Sequence, residues 1–399
     1  MRSNRSLIAL VAASVATLAA QPPRLELIWR VPAGTGVSAV TASDTDIYVV
    51  ESNGDADQLV SLDAATGSAR WRATLGTTHA EATLGPRGRP AVAGPVAIAV
   101  GSSCHVVAVR RDTGAAVWDI DLAARFKSRF APRQPCAQSV LVDSGRAIFV
   151  TGAPDVDRVV AVDATTGALS WTAEGIARTM MTTPVLQSAG TAIVHTVNEK
   201  GISGLTALDT TSGRVRWQTD AARGLSEETP LPVSDTRTLL QSWSDSRLLE
   251  TGASAGSGRE VWTSAELTAN GTPPVLLGAT IFGFGGNHGD SLLAIDASTG
   301  VVHWRERVLR GSVAPHGDRL VVLSETSGFV RLVRPASGGY DEEARLAVLT
   351  PGAPAPGPAA IAGDVIYVRS TEEVAAVRVR SRSQAHHARR ANSTPTMTP

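Results

Sequence analysis

Ser61-Leu62-Asp63-Ala64-Ala65-Thr66-Gly67-Ser68-Ala69-Arg70-Trp71 is the stretch that decides the fold. An apolar run ends in an aspartate, a short turn closes on Thr66-Gly67, and a tryptophan follows the glycine by four positions. The spacing returns at Gly114/Trp118, Gly167/Trp171, Gly213/Trp217, Gly258/Trp262 and Gly300/Trp304. Six of the eight tryptophans stand in this relation, and successive ones are 47, 53, 46, 45 and 42 residues apart. A period of that size marks a repeat architecture, in which each unit buries its apolar faces against its neighbours.

The turn has a chemical logic. Asp63 to Gly67 suits a type I turn followed by a residue with positive φ, where glycine costs least. The aspartate side chain accepts from backbone N–H groups two residues on and holds the bend. Asp163, Asp209 and Asp296 repeat it, whereas the second copy has Arg110 and the fifth a longer glycine-rich turn, Gly252 to Gly258. Around each turn the pattern predicts four short strands. In the first repeat these are Val37 to Thr41, Ile47 to Glu51, Gln58 to Leu62 and Ala69 to Ala73. In the fifth the second strand runs from Thr238 to Trp243, and in the seventh a last strand at Ala344 to Val348 has no tryptophan. Four strands per repeat at this period describe the blade of a β-propeller.

The chain ends complete each other. After the proline-rich loop Pro351 to Pro358 only three strands remain: Ala359 to Ile361, Asp364 to Arg369 and Val374 to Arg380. The missing fourth is Leu25 to Val31, which carries Trp29, 42 residues before Trp71. Pairing it with Val374 to Val379 closes an eighth blade from both termini and completes the ring, which leaves only short sheet edges. The expected fold is therefore an all-β, eight-bladed propeller of four-stranded antiparallel blades over residues 21–380.

Outside it, Arg2 and Arg5 precede an apolar run from Leu7 to Ala20. Residues 1–20 read as a secretory signal peptide, and the run is shorter than the roughly 20 residues that cross a bilayer. The mature chain is expected to be extracytoplasmic, with no membrane span. Residues 381–399 have no periodic apolar positions and read as a disordered tail, in which His386-His387 is a solvated pair. Zero formal charge on 399 residues gives no electrostatic case for nucleic acid. Cys104 and Cys136 suit an exported protein as a bridge worth about 3–4 kcal/mol or as two separate buried thiols. Propeller geometry puts both on one face.

The sequence resembles the pyrroloquinoline-quinone (PQQ)-type propeller repeat, whose hallmark is Asp-x-x-Thr-Gly-x-x-x-Trp. Asp63/Thr66/Gly67/Trp71, Asp163/Thr166/Gly167/Trp171 and Asp296/Thr299/Gly300/Trp304 match it fully; Asp209, Gly213 and Trp217 follow it with Ser212 in place of threonine. Thr183-Pro184, Thr229-Pro230 and Thr272-Pro273, ahead of first strands, also resemble it. The resemblance implies that the tryptophans pack between neighbouring blades. It implies one of two functions. The favoured one is a non-catalytic scaffold similar to the outer-membrane assembly (BamB-like) propellers, a monomer without cofactor that binds a protein or envelope component through one face. The alternative is a dehydrogenase that holds PQQ and calcium on the propeller axis.

Two features separate these readings. The enzymes often carry adjacent cysteines, which Cys104 and Cys136 are not, and no Glu/Asn/Asp set here maps onto their calcium ligands. No histidine spacing reads as a metal site, and Gly283 to Asp290 joins two strands and opens no helix, so it reads as a hairpin loop and not a phosphate loop. The expected binding face has acidic loops with Asp55, Asp57, Asp155, Asp157, Asp245 and Asp290, and longer basic ones with Arg125, Lys127, Arg129 and Arg133.

Overall fold

The computed structural model describes residues 22–128, 135–155, 158–179, 181–223, 228–251, 258–268, 271–285, 289–336 and 338–380. The signal-peptide and tail assignments lie outside these residues. The described chain forms eight antiparallel sheets in a ring. Blade 1 holds Thr41–Ala42, Asp46–Ser52, Ala56–Asp63 and Ala69–Thr77. Blades 2 to 7 follow over 91–121, 141–172, 178–223, 231–264, 275–307 and 311–347. Blade 8 joins Ala360–Ala362, Val365–Arg369 and Glu373–Arg380 to the N-terminal strand Arg24–Pro32, in the order that closes the ring. Arg24 stands opposite Arg380 and Pro32 opposite Glu373.

Burial follows strand position. The second strand of blade 1 is buried at all seven residues, because a neighbouring blade covers each of its faces. The outer strand Ala69–Thr77 keeps most of its residues open. The core accordingly lies between blades; Ile98 and Phe149, for example, share one cluster across blades 2 and 3.

In every blade the outer strand carries a one-residue register shift, and in seven of them it falls at the tryptophan, as between Ser61 and Leu62 opposite Trp71. Such a bulge re-aims the side chain, here toward the next blade. The indole N–H groups of Trp29, Trp71, Trp118, Trp171, Trp262 and Trp304 donate to Ala64, Arg111, Ala164, Thr210, Ala297 and Ala336 in the following blade's turn. The rings lie flat on the turn glycines: a methyl carbon at Gly67, Gly114, Gly167, Gly213 or Gly300 would stand 2.5–2.8 Å from the preceding blade's indole. These glycines also have φ near +73°, so both space and backbone demand them. Asp63 Oδ1 accepts from the N–H of Ala65 and Thr66, and Asp163, Asp209 and Asp296 repeat the bracket.

Trp217 and Gly258 correct the expectation that all six spacings share one geometry. Trp217 sits at the bulge of blade 4 and is 6% exposed, packed with Leu240 and Leu249 of blade 5. Gly258, however, is not a turn glycine beneath that ring. It has no positive φ and opens the outer strand Gly258–Ser264, where an added methyl carbon would meet the side chain of Thr219 and not the indole. The physical reason is the longer turn of blade 5: its residues 252–257 lie outside the described ones, and Gly258 has been displaced from the turn into the strand. Trp217 thus packs by its apolar neighbours, without the glycine seat that Trp171 has on Gly213.

The seventh blade breaks the pattern for a reason visible at the closure. Ala344 occupies the bulge position that tryptophan fills elsewhere. Its neighbour, blade 8, takes its outer strand from the other end of the chain, so it has no turn for an indole to cap.

The first strand of blade 1 is shorter than the apolar pattern implies. In blade 1 the strand is only Thr41–Ala42, not Val37 to Thr41. Ser38 takes over its work: the hydroxyl donates to the Val50 carbonyl and accepts from the Val50 N–H. Gln138 does the same for Val150 in blade 3 with its amide. The second strand of blade 5 ends at Gln241, which leaves Trp243 outside it. The last strand of blade 7 runs over Gly339–Ala347, longer than Ala344 to Val348.

Candidate functional site

Antiparallel alternation puts the Asp-x-x-Thr-Gly turns on one face of the disc. The second-to-third strand loops and the interblade connections lie on the other, here the loop face. Cys104 and Cys136 meet there as a disulfide, with Cα atoms 5.2 Å apart. The bridge anchors the connection between blades 2 and 3, whose start is the short helix Leu122–Phe126. Asp121 caps it by accepting from Ala123 and Ala124 N–H, and Leu122 and Phe126 are buried beneath it.

The loop-face charges are less free than the sequence implies. Asp57 is fully buried and is not part of the binding surface. One oxygen accepts from the backbone and hydroxyl of Ser102 and the other from Thr78, tying blade 1 to blade 2. A carboxylate with three donors stays buried without a cation. Asp245 pairs with Arg247 at 3.0 Å, and Asp290 lies 4.0 Å from Arg307. Asp55 and Asp155 are exposed, as are Arg125 and Lys127. Asp157, Arg129 and Arg133 lie outside the described residues.

Trp243 is the exception among the eight tryptophans: 68% of its surface is exposed, at the tip of the blade 5 loop. The loop beneath it is held closely. Ser242 Oγ accepts from the N–H of Ser244 and of Asp245, and Ser242 N–H donates to the Asp245 carbonyl at 2.7 Å. Leu309, 57% exposed, lies on the same face in the connection to blade 7. A tryptophan outside the glycine–tryptophan spacing was the available sequence signal for this residue; its periodic neighbourhood disguised it as the end of a strand.

The axis holds a cavity of about 860 Å³, lined by the first strands and interblade connections of all eight blades. Its wall is mainly proline, threonine and small aliphatic residues, including the three Thr-Pro steps. Proline suits a strand whose N–H side faces an opening. At the axis Arg89 N–H donates to Ser139 Oγ and Ser139 N–H to Thr183 Oγ1, both at 2.8 Å, so these inner positions join blades 2, 3 and 4. The charged wall residues are Arg87, Arg89, Arg310, Glu228 and Glu325. Glu325 is clamped by Arg310 at 2.5 and 2.9 Å, and Glu228 accepts the Gly271 N–H. A calcium ion takes six to eight oxygen ligands, several of them carboxylates. Two engaged carboxylates among the described residues do not fit one, nor the calcium–quinone pair of the alternative function.

Among the described residues no three His, Cys, Asp or Glu side chains gather as metal ligands. His105 lies 3.2 Å from Asp119 and His303 3.6 Å from Asp296, both near the surface. His195 differs. It is wholly buried in blade 4, and neither ring nitrogen has a hydrogen-bond partner among the described residues. Burial pushes its pKa down from 6.5 to about 4. Between those values the unfolded chain takes up a proton that the folded chain refuses, so stability falls as pH drops from 6.5 to 4. At about 1.4 kcal/mol per pH unit the loss is about 3 kcal/mol. Urea unfolding at pH 7 and pH 4.5 should show most of that loss in the wild-type chain and a much flatter response in His195→Leu. Equal acid sensitivity of the two would refute this assignment. The turn aspartates act lower: their hydrogen bonds depress Asp163 and Asp209 below the usual value, so their contribution is lost only as pH falls below about 4.

No helix among the described residues is long and apolar enough to cross a membrane. The family model described as outer membrane protein assembly factor BamB matches residues 8–219, 128–305 and 202–398. No curated protein matches the chain. Among solved structures, BamB from Moraxella catarrhalis superposes with a TM-score of 0.61 at 16% identity, covering 89% of this chain and 97% of that one. Quinohemoprotein alcohol dehydrogenase from Comamonas testosteroni gives 0.63 at 12%, covering 89% and 76%. A europium-containing methanol dehydrogenase gives 0.63 at 12%, covering 89% and 93%. At these identities the superpositions speak for the fold alone.

Proposed function

The chain belongs to the PQQ-like propeller family of the outer membrane protein assembly factor BamB, and on that premise we propose that it is a non-catalytic scaffold that binds a partner protein of the cell envelope on its loop face. The observation that carries this reading is Trp243. An exposed indole on a hydrogen-bonded loop offers large apolar area at little ordering cost, the profile of an interface anchor. Leu309 adds a second apolar contact on that face. An extracytoplasmic location is supported by the joined cysteines, since such bonds persist in oxidising compartments.

The test uses a photo-crosslinking residue at Trp243 and, on the opposite face, at Ser68. In the native envelope a defined partner adduct should form from position 243 and not from position 68. Trp243→Ala should weaken binding to that partner by at least about thirtyfold, the cost of losing a hot spot of about 2 kcal/mol. Because the side chain is exposed, its urea midpoint should stay close to wild type. Equal crosslinking from both faces, or none, would defeat the proposal, as would saturable binding of PQQ with calcium and dye reduction by the complex.

A further inference from the structure

We propose that the axial cavity receives an acidic, extended peptide segment, gripped through its carboxylates by Arg87 and Arg89. The proposal rests on the loop-face reading only in naming a protein as the source of that segment. Three observations point to it. First, the two arginines line the same cavity two residues apart, and among the described residues neither has a carboxylate in ion-pair reach, whereas Arg310 in the same wall is clamped by Glu325. Of its guanidinium N–H groups, Arg89 commits only the Nε–H, to Thr41 Oγ1 at 3.2 Å. Its guanidinium is walled by protein, which lowers its pKa from the ordinary value, yet it still opens to the cavity. A charge so placed lacks part of its solvation and gains most from an anion, and the arginine fork matches a carboxylate with two hydrogen bonds.

Second, the cavity is larger and more apolar than a compact anion needs. Its volume of about 860 Å³ lies in the range of ligand pockets. Its wall continues from Leu84 and Arg87, in an interblade connection, to Leu141, Val142 and Val185 in first strands. A small anion would engage the arginines and leave that wall wet, whereas an extended peptide with apolar and acidic residues covers both. Third, Leu84 and Arg87 belong to the connection between blades 1 and 2 on the loop face, where Trp243 and Leu309 stand, so a segment of a protein docked there enters without crossing the disc.

The experiment is fluorescence anisotropy of the mature protein with a labelled hexapeptide of alternating aspartate and valine, and with its lysine–valine counterpart. The aspartate peptide should bind saturably, and its affinity should fall at least about tenfold in Arg87→Gln and again from low to high salt. The lysine peptide should not bind. Among the described residues the Arg87 side chain makes no hydrogen bond or ion pair that Gln would disrupt, and an unchanged urea midpoint confirms the fold of the variant. Trp243→Ala should leave peptide binding intact, so the cavity and the docking face are read separately. Undiminished binding in Arg87→Gln, equal binding of the lysine peptide, or no binding up to millimolar concentration would overturn the proposal. Displacement by citrate as strong as by unlabelled peptide would overturn it in favour of a compact anion.

Discussion

Trp171→Ala is expected to lower the stability of the propeller by about 3–5 kcal/mol, the cost of deleting a buried large aromatic. The indole is 8% exposed, donates to the Thr210 carbonyl at 3.0 Å and covers Gly213 of the next blade. Removing it opens a cavity between blades 3 and 4 and leaves that carbonyl without its donor. Urea unfolding at pH 7 would read the loss as a lower midpoint. The converse change, Gly213→Ala, forces a side chain into positive φ and into a space where its methyl carbon stands 2.5 Å from the Trp171 ring. Part of that penalty is the clash, so the double variant should be less destabilised than the two single losses added together. Strict additivity would mean that ring and glycine do not act as one contact. Ala344→Trp serves as the control: blade 8 offers its ring no turn to cap, and no stabilisation should appear.

Arg369→Ala should cost about 3 kcal/mol or more at pH 7. Arg369 is 4% exposed where blade 8 meets blade 1. Its guanidinium donates to the Gly34 carbonyl at 3.0 Å, Ser38 Oγ at 2.8 Å, the Val50 carbonyl and its neighbour Ser370. Burial lowers its pKa to about 10, so it stays charged at neutral pH, with Glu51 opposing the shift. Two effects compete. Losing the arginine relieves the cost of a buried charge, but it takes a donor from four acceptors. The Val50 carbonyl and Ser38 Oγ keep each other, while the Gly34 and Ser370 carbonyls lose theirs at about 1–3 kcal/mol each. With four acceptors served by one side chain, the second effect dominates. Arg369→Met decides the matter, since it fills the volume without donors. A stability equal to or above wild type would show that desolvation wins. The expected result is a loss similar to that of alanine, with faster hydrogen exchange along Arg24–Pro32, because the contact ties blade 1 to the blade which that strand completes.

The repeat, the count of eight blades and the closure of the ring by the two ends were all legible in the order of amino acids alone. Each rests on local chemistry repeated at a fixed spacing: an aspartate that brackets a turn, a glycine at positive φ and a tryptophan four residues on. Such signals are legible because every regular copy solves the same problem within about ten residues. Gly258 shows their limit: it keeps the spacing to Trp262, yet it lies in a strand against Thr219 and gives Trp217 no seat. Beyond the tryptophans, what lies between blades was not legible. Asp57 looks like any loop aspartate until blade 2 brings Ser102 onto it, and Arg369 like any strand-end arginine until the ring closes on Gly34 and Ser38. Trp243 has the composition of a strand end, but a serine-held loop turns it to solvent. The cavity that gathers Arg87 and Arg89 with residues more than 200 positions away exists only when eight first strands surround one axis. Burial and pairing across such separations depend on how the blades are placed around the ring, and no local pattern encodes that placement.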